Sequence, residues 1–201
     1  MEDLEQAGRE VHPSRTQRRL KTRDKVYAAA MAEFSRSGIA AAQIEDIVKA
    51  AGVARGTFYN HFPTKDHVLL EYVERLQRAA AGRMEELEVA SARLFFRGAV
   101  EILADVVIGE DPTILREALS VVSRHVDEME NVAPLYTGVT AFFAVAQARG
   151  EIRSDLLPGE LSVAFLPAVF GVLLLRLGAP ESELRATLHH AVDVFVRGIA
   201  P

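Results

Sequence analysis

The amino-acid sequence predicts an all-α fold, and three observations lead to that class. Apolar residues recur at the three- and four-residue spacing of a helix along most of the chain. Glycines and prolines, such as Gly38, Gly52, Pro112 and Gly150, divide this pattern into segments of helical length. The sequence contains no alternating apolar run long enough to predict a strand, and no internal repeats.

Composition narrows the class of protein. Hydrophobic residues make up 49% of the 201 residues, which is typical of a globular chain and not of a disordered one. The absence of cysteine excludes disulfides and thiolate metal sites, and it fits a reducing compartment. Residues 1–25 are charged and lack the apolar stretch of a secretory signal, so we expect a cytoplasmic location.

Charge is distributed unevenly, although the net charge is only −5. Residues 13–65 contain ten lysines and arginines against four acidic residues, whereas residues 66–201 contain twelve against twenty. A basic first third joined to an acidic remainder indicates a module that binds a polyanion and a body that does not.

The first predicted helix covers about residues 20–37, with Val26 and Phe34 on its apolar face. Residues 1–19 are expected to form a mobile, basic arm. The basic run at residues 15–23 has two interpretations: it enters a minor groove of DNA, or it only aids solubility.

Two short helical patterns that meet at Gly52 come next. The apolar stripe of the first consists of Ile44, Ile47, Val48 and Ala51. Gly52 permits the positive φ that ends this helix in a sharp turn. The second helix begins near Arg55 and turns Phe58 and Phe62 inward, so the residues expected to face outward are Tyr59, Asn60 and His61. This layout is that of a helix-turn-helix, whose second helix is of a size to enter a major groove.

A long helix follows over about residues 65–87, with Thr64 as its N-cap. At 1.5 Å per residue it spans about 36 Å, which is enough to belong both to the basic module and to the body. The later patterns cover about residues 91–108, 112–126 and 133–149, and two more begin near Pro158 and Glu181.

The pattern over about residues 160–177 is apolar on every side apart from Ser162. A membrane span needs about 20 apolar residues, and charged Glu160 and Arg176 bound this shorter run, so no membrane association is expected. A helix that is apolar all round has to be covered on all sides, either deep inside a monomer or, as we favour, in a homodimer. The residues expected at the dimer interface are Leu161, Phe165, Val169, Leu173, Leu184, Leu188, Val192 and Phe195.

The run from Ile44 to Lys65 combines A-G-V, G-T-F-Y and F-P-x-K at a spacing that few other folds share. It resembles the DNA-binding motif of the TetR (tetracycline-repressor-like) family of bacterial regulators. The resemblance implies about nine helices, with a three-helix DNA-binding head at residues 20–65 and a ligand-binding, dimerising body at 66–201. It also implies a repressor of double-stranded operator DNA that a small molecule releases.

The resemblance and side-chain chemistry together predict phosphate contacts. Lys65 lies in the first turn of the long helix, where free backbone N–H groups favour an anion. Tyr59 and His61 match family residues that donate to phosphates. Gln43 stands where the family often has a phosphate-contacting threonine, and its amide can still donate.

Base edges in the major groove are expected to meet the exposed side chains of the second short helix. Arg55 suits guanine, Asn60 suits adenine, and the methyl group of Thr57 suits thymine. Gly56 lets the backbone approach the DNA closely. Two symmetric copies would recognise half-sites about 34–36 Å apart on a near-palindrome.

The body is expected to hold an apolar cavity for a small apolar or amphipathic effector, without a cofactor. The candidate lining residues are Phe95, Phe96, Ile102, Leu119, Val122, His125, Tyr136, Phe142, Phe143 and Phe165. For His125 a structural role at the edge of the core is the alternative. Filling the cavity is expected to pivot the long helix and to move the two recognition helices off their spacing.

Two other classes of protein are considered. An enzyme is disfavoured because the sequence contains no nucleophile-elbow, metalloprotease, dinucleotide-binding or P-loop pattern. His189 and Asp193 are four residues apart and could share a metal, but an ion pair is the simpler interpretation. A DNA-binding regulator whose body binds a protein partner is not separable from ligand control by sequence.

Overall fold

The computed structural model describes residues 14–87, 91–125 and 133–201, and in these ranges it contains nine α-helices and no strand, which confirms the all-α prediction. The helices are α1 (Arg15–Ser37), α2 (Ile44–Ala51), α3 (Arg55–His61), α4 (Lys65–Glu85), α5 (Ala92–Val107), α6 (Pro112–Arg124), α7 (Ala133–Ala148), α8 (Pro158–Leu175) and α9 (Glu181–Gly198). The chain forms two compact units that divide between Val68 and Leu69, so the division falls within α4.

Helix α1 begins at Arg15, earlier than the start predicted at residue 20, so residues 15–19 are helical and do not belong to an arm. The cause is a capping box. The Ser14 hydroxyl accepts a hydrogen bond from the Gln17 N–H at 3.2 Å, and Gln17 Oε1 accepts one from the Ser14 N–H at 2.8 Å. These bonds satisfy backbone groups that a helix start leaves free. Residues 1–13 of the predicted arm lie outside the described residues.

The first unit has a core of fully buried side chains from α1, α2, α3 and the residue that follows α3: Val26, Phe34, Ile47, Phe58 and Phe62. Helix α1 packs on α2, and α2 packs on α3. Gly52 closes α2 in the left-handed conformation, with φ of 66°, and its N–H donates to carbonyls of the last turn. The predicted turn between the two short helices is confirmed.

The second unit is built around phenylalanine side chains of α5, α7, α8 and α9. Its aromatic cluster consists of Phe95, Phe96, Phe142, Phe143, Phe165 and Phe195. The rings of Phe95 and Phe142 stack with their centroids 3.6 Å apart. Helix α5 packs on α9, α7 on α8, and α8 on α9. Close aromatic packing of this kind fixes the four helices against one another.

The residues predicted for the dimer interface belong to this core. Leu161, Phe165, Val169, Leu173, Leu184, Leu188 and Val192 are buried within the single chain, and Phe195 packs against them. Side chains already hidden from water in one protomer have little surface left to bury against another, and a dimer interface at these residues stays a prediction. The apolar residues that α8 and α9 leave exposed include Val163, Ala164, Ala168, Leu174, Leu175 and Val194.

Helix α8 is long and apolar enough to cross a membrane by length and composition alone. A single helix of this kind is weak evidence for a span, because core helices have the same composition. Within the fold α8 packs against α7 and α9, and Pro167 interrupts its backbone hydrogen bonding.

Candidate nucleic-acid interface and body cavity

Helix α3 turns its polar side chains outward because Phe58 holds its other face in the core. Phe58 is fully buried, whereas the Tyr59 residue is 42% exposed and Asn60 is exposed beside it. Arg55 and Gly56 are exposed in the first turn, and Thr57 and His61 are partly exposed. The predicted contact residues of α3 therefore share one accessible surface.

Arg55 is not free on this surface, because it forms an ion pair with Glu45 of α2. The distance from Arg55 Nη1 to Glu45 Oε1 is 2.5 Å, and Arg55 Nη2 lies 3.4 Å from the Tyr59 hydroxyl. The hydrogen bond to Tyr59 and the charge of Glu45 raise the pKa of Arg55, which stays cationic. A guanine that binds Arg55 has to compete with Glu45, a residue that the sequence did not single out.

Lys65 braces the turn between α1 and α2. Its Nζ lies 2.6, 3.2 and 3.1 Å from the carbonyl oxygens of Ile39, Ala40 and Ala42. An ammonium has three N–H groups, so these three carbonyls account for all of them. A phosphate contact by Lys65 stays a prediction, and it would require the ammonium to leave at least one carbonyl.

Arg23 ties α1 to the end of α3. Its Nη1 donates to the His61 carbonyl at 2.7 Å, and its guanidinium lies 4.3 Å from the Phe62 ring centroid. Burial lowers the pKa of His61, and the nearby charges of Arg23 and Arg19 lower it further. His61 is therefore neutral near pH 7, and its Nδ1 is buried without a protein partner. Any phosphate contact from His61 would be that of a neutral donor.

An open groove of about 570 Å³ lies beside α3 in the first unit. Its lining residues are Arg15, Thr16, Arg19, Asn60 and His61. Two of these are exposed arginines of α1, which place two positive charges beside α3. Gln43 lies elsewhere, at the start of α2, where its amide donates to the Ala41 carbonyl at 3.0 Å and does not cap the helix.

The second unit contains a cavity of about 570 Å³ among α4, α6, α7 and α8. Three predicted residues line it: Leu119, Val122 and Tyr136. The predicted phenylalanines do not, because they pack on one another in the core. Ile102 is buried in the same core, and His125 lies at the end of α6 with Nδ1 3.1 Å from the Val121 carbonyl.

The cavity wall is apolar except at Gln77, Ser123, Tyr136 and Ser162, of which the sequence analysis predicted Tyr136. Ser162 is fully buried, and its hydroxyl contacts Thr140 Oγ1 at 2.8 Å and the Pro158 carbonyl at 3.0 Å. Gln77 was missed, although a polar residue inside the apolar stripe of α4 was a readable signal. Its Oε1 is buried without a hydrogen-bond partner.

His189 and Asp193 of α9 are not paired with each other. The His189 Nε2 contacts a Glu101 carboxylate oxygen, and Asp193 Oδ1 lies 3.7 Å from an Arg93 nitrogen. Glu101 also contacts Arg185, which bonds Asp105 at 2.6 Å. The region is an ion-pair network between α5 and α9.

Known proteins resemble this chain both in sequence and in fold. A family model for bacterial regulatory proteins of the tetR family matches residues 26–72. The transcriptional repressor DhaR of Mycobacterium sp. strain GP1 is 30% identical over 155 residues, which cover 72% of this chain and 76% of the relative. The regulator TtgR of Pseudomonas putida is 25% identical over 173 residues, or 80% and 82% of the two chains.

Solved structures share the fold. The repressor FadR of Thermus thermophilus, in complex with lauroyl-CoA, superposes with a TM-score of 0.75 at 22% identity, covering 89% of this chain and 95% of that one. NalD, a repressor of a multidrug efflux pump in Pseudomonas aeruginosa, gives 0.61 at 22% identity, covering 90% and 98%. At these identities the likeness concerns the fold alone.

Proposed function

The chain belongs to the TetR family of bacterial transcriptional regulators, and from this premise we propose that it is a cytoplasmic repressor released from its operator by a small molecule. The head binds a near-palindromic operator as part of a homodimer. The body cavity binds the effector, and binding lowers the affinity for DNA.

The observation that carries the proposal is the exposed polar surface of α3, set beside arginines of α1, in a chain that also holds a ligand-sized cavity. Phosphate contacts position such a protein on DNA, and contacts to base edges give it specificity. We assign phosphate contacts to Tyr59, Arg15 and Arg19, which are exposed. We assign base contacts to Asn60 and to Arg55 once it parts from Glu45.

Gln43, Gly56, Thr57 and His61 complete the proposed DNA surface at the near edges of α2 and α3. We place Lys65 behind it, because its three carbonyl contacts fix the turn that precedes α2. In this assignment the Lys65 ammonium affects DNA binding indirectly, because it fixes the position of α2 and therefore that of α3.

Helix α4 is the proposed route from effector to DNA. It begins at Lys65 in the first unit, and Val73 and Gln77 on the same helix line the cavity of the second unit. A ligand shifts an equilibrium only by binding one state better than the other. We therefore propose that the effector favours a position of α4 in which the paired recognition helices lose their spacing.

Two copies are proposed to meet through the exposed apolar side chains of α8 and α9. Leu175 is 82% exposed and Val194 is 58% exposed, with the small residues Ala164 and Ala168 on the same side of α8. Small side chains allow close approach of helices, and a two-fold axis would pair each helix with its own copy. Burying these side chains would stabilise the dimer by the hydrophobic effect.

The proposal is tested by fluorescence anisotropy with labelled duplex from upstream of the chain's own gene. We expect saturable binding at a stoichiometry of two chains per site, and partial or full release by a compound that occupies the cavity. Binding to this duplex no tighter than to a scrambled one, or equal affinity with and without a cavity-saturating compound, would contradict it.

A further inference from the structure

We infer that the body cavity takes an uncharged, mostly apolar molecule that carries one hydroxyl or N–H group, and that Gln77 is the residue that binds this group. The inference rests on the proposed effector role of the cavity, and it specifies the chemical class of the effector.

The first reason is the unmatched amide of Gln77. The residue is only 6% exposed, and its Oε1 has no hydrogen-bond partner. Buried polar groups in proteins nearly always have a partner, because an unpaired one is costly. Gln77 lies on the cavity wall, four residues after Val73 on α4, where a leucine would pack with no unpaired group. A ligand that supplies the missing partner accounts for the glutamine.

The other polar groups on the wall have protein partners. The Ser162 hydroxyl donates to Pro158 and pairs with Thr140, and the Tyr136 hydroxyl donates to the Gly159 carbonyl at 3.4 Å. Among the buried side chains of the wall, Gln77 alone presents an unpaired atom in the described part of the chain. We therefore expect the polar group of the ligand to bind Gln77 on α4.

A second acceptor lies on α8. Pro167 has no backbone N–H, so it cannot donate to the Val163 carbonyl four residues earlier, and both residues line the cavity. An amide oxygen on one wall and a helix carbonyl without its usual donor on another both favour a ligand that donates. A hydroxyl suits either orientation of the amide, because it donates and accepts.

The wall also restricts the charge of the ligand. None of the described residues that line the cavity is Asp, Glu, Lys, Arg or His. A carboxylate or phosphate transferred from water into such a wall would lose its hydration without gaining a cation. Fatty acids and coenzyme A thioesters are therefore disfavoured, whereas a neutral alcohol, phenol or arylamine fits. The volume of about 570 Å³ is within the usual range for small-molecule sites.

The test uses N-phenyl-1-naphthylamine, an uncharged fluorescent probe with one N–H group, on the full chain. Three competitors share one skeleton: 4-cyclohexylphenol, cyclohexylbenzene and 4-cyclohexylbenzoate. The wild type is compared with Gln77→Leu, which replaces the amide with an apolar side chain of similar size. Thr137→Val serves as the control, because Thr137 is exposed on α7 and does not line the cavity.

We expect the probe to bind at one site per chain, and the phenol to compete about tenfold better than cyclohexylbenzene, the fold-change that one added hydrogen bond gives. This advantage should vanish in Gln77→Leu and persist in Thr137→Val. The melting temperature of Gln77→Leu should be no lower than that of the wild type, because the substitution removes an unpaired buried polar group.

Three results would overturn the inference: no saturable binding of the probe, competition by the benzoate that equals or exceeds that of the phenol, or a phenol advantage that survives in Gln77→Leu. Operator release is scored separately by anisotropy. If the phenol binds as expected and the operator stays bound, the chemical class of the ligand stands and the proposed control of DNA binding fails.

Discussion

Replacing Lys65 with methionine distinguishes two possible roles of this lysine, which are to stabilise the turn before α2 and to bind a DNA phosphate. Methionine keeps the unbranched apolar stem and deletes the ammonium. In the structure that ammonium donates to the carbonyls of Ile39, Ala40 and Ala42. If this contact is its function, the variant loses stability of the head; if Lys65 instead holds a phosphate, it loses electrostatic affinity for DNA.

The magnitude follows from the three contacts. A hydrogen bond from a charged donor contributes about 1.5–3 kcal/mol. The contacts to Ile39 and Ala42 are partly buried and the one to Ala40 is exposed. Counting the two partly buried bonds at the low end, and allowing for the partial exposure of the ammonium, we expect Lys65→Met to cost about 2–3 kcal/mol of unfolding free energy.

Two assays check this expectation. Urea unfolding gives the loss of stability, with Lys25→Met on the exposed face of α1 as the control that removes a charge without removing these contacts. Operator affinity as a function of salt gives the number of phosphate contacts, because the slope changes by about 0.9 for each one lost. We expect an unchanged slope. A slope reduced by that amount, with stability equal to the control, would refute the bracing role.

Other perturbations test the remaining parts of the account. Glu45→Gln should raise operator affinity severalfold at low salt, because it frees Arg55 and removes a carboxylate, while the stability of this exposed site stays close to that of the wild type. Weaker binding in an anisotropy titration would show instead that Glu45 orients Arg55 for contact with a base. Leu175→Glu should halve the mass measured by light scattering, and a dimer that persists would place the interface elsewhere. Hydrogen bonds from Arg185 and then Arg83 lower the pKa of Asp105, so this contribution to stability is present above the ordinary pKa of aspartate and is lost as the pH falls through the lowered one. Arg185→Met should flatten the dependence of melting temperature on pH below about pH 4, and a profile as steep as that of the wild type would contradict this.

Local signals account for the parts of the fold that the sequence predicts well. The bounds of α2 and α3 follow from Gly52 and from the phenylalanine spacing, because these determine backbone conformation over a few residues. The start of α1 was missed although its signal was local, since Ser14 and Gln17 have the spacing of a capping box.

Nonlocal contacts account for the parts that the sequence does not predict. The stripe through Leu161, Phe165 and Val169 is apolar whether it faces its own chain or a second one, so periodicity could not distinguish core from interface. The carbonyls that hold Lys65 lie more than twenty residues away in sequence. Phe142 and Leu119 are both large apolar residues on apolar helix faces, yet Phe142 lies in the core and Leu119 lines the cavity. The packing of several helices together determines where the cavity forms.

The central claim is that two copies of the chain bind a specific operator. The most direct test is to select, from a random pool of duplex DNA, the sequences that the purified chain binds. The account predicts enrichment of a near-palindrome whose half-sites are about one helical turn apart, bound by two chains. Failure to enrich any sequence, or enrichment of a single asymmetric site bound by one chain, would contradict it.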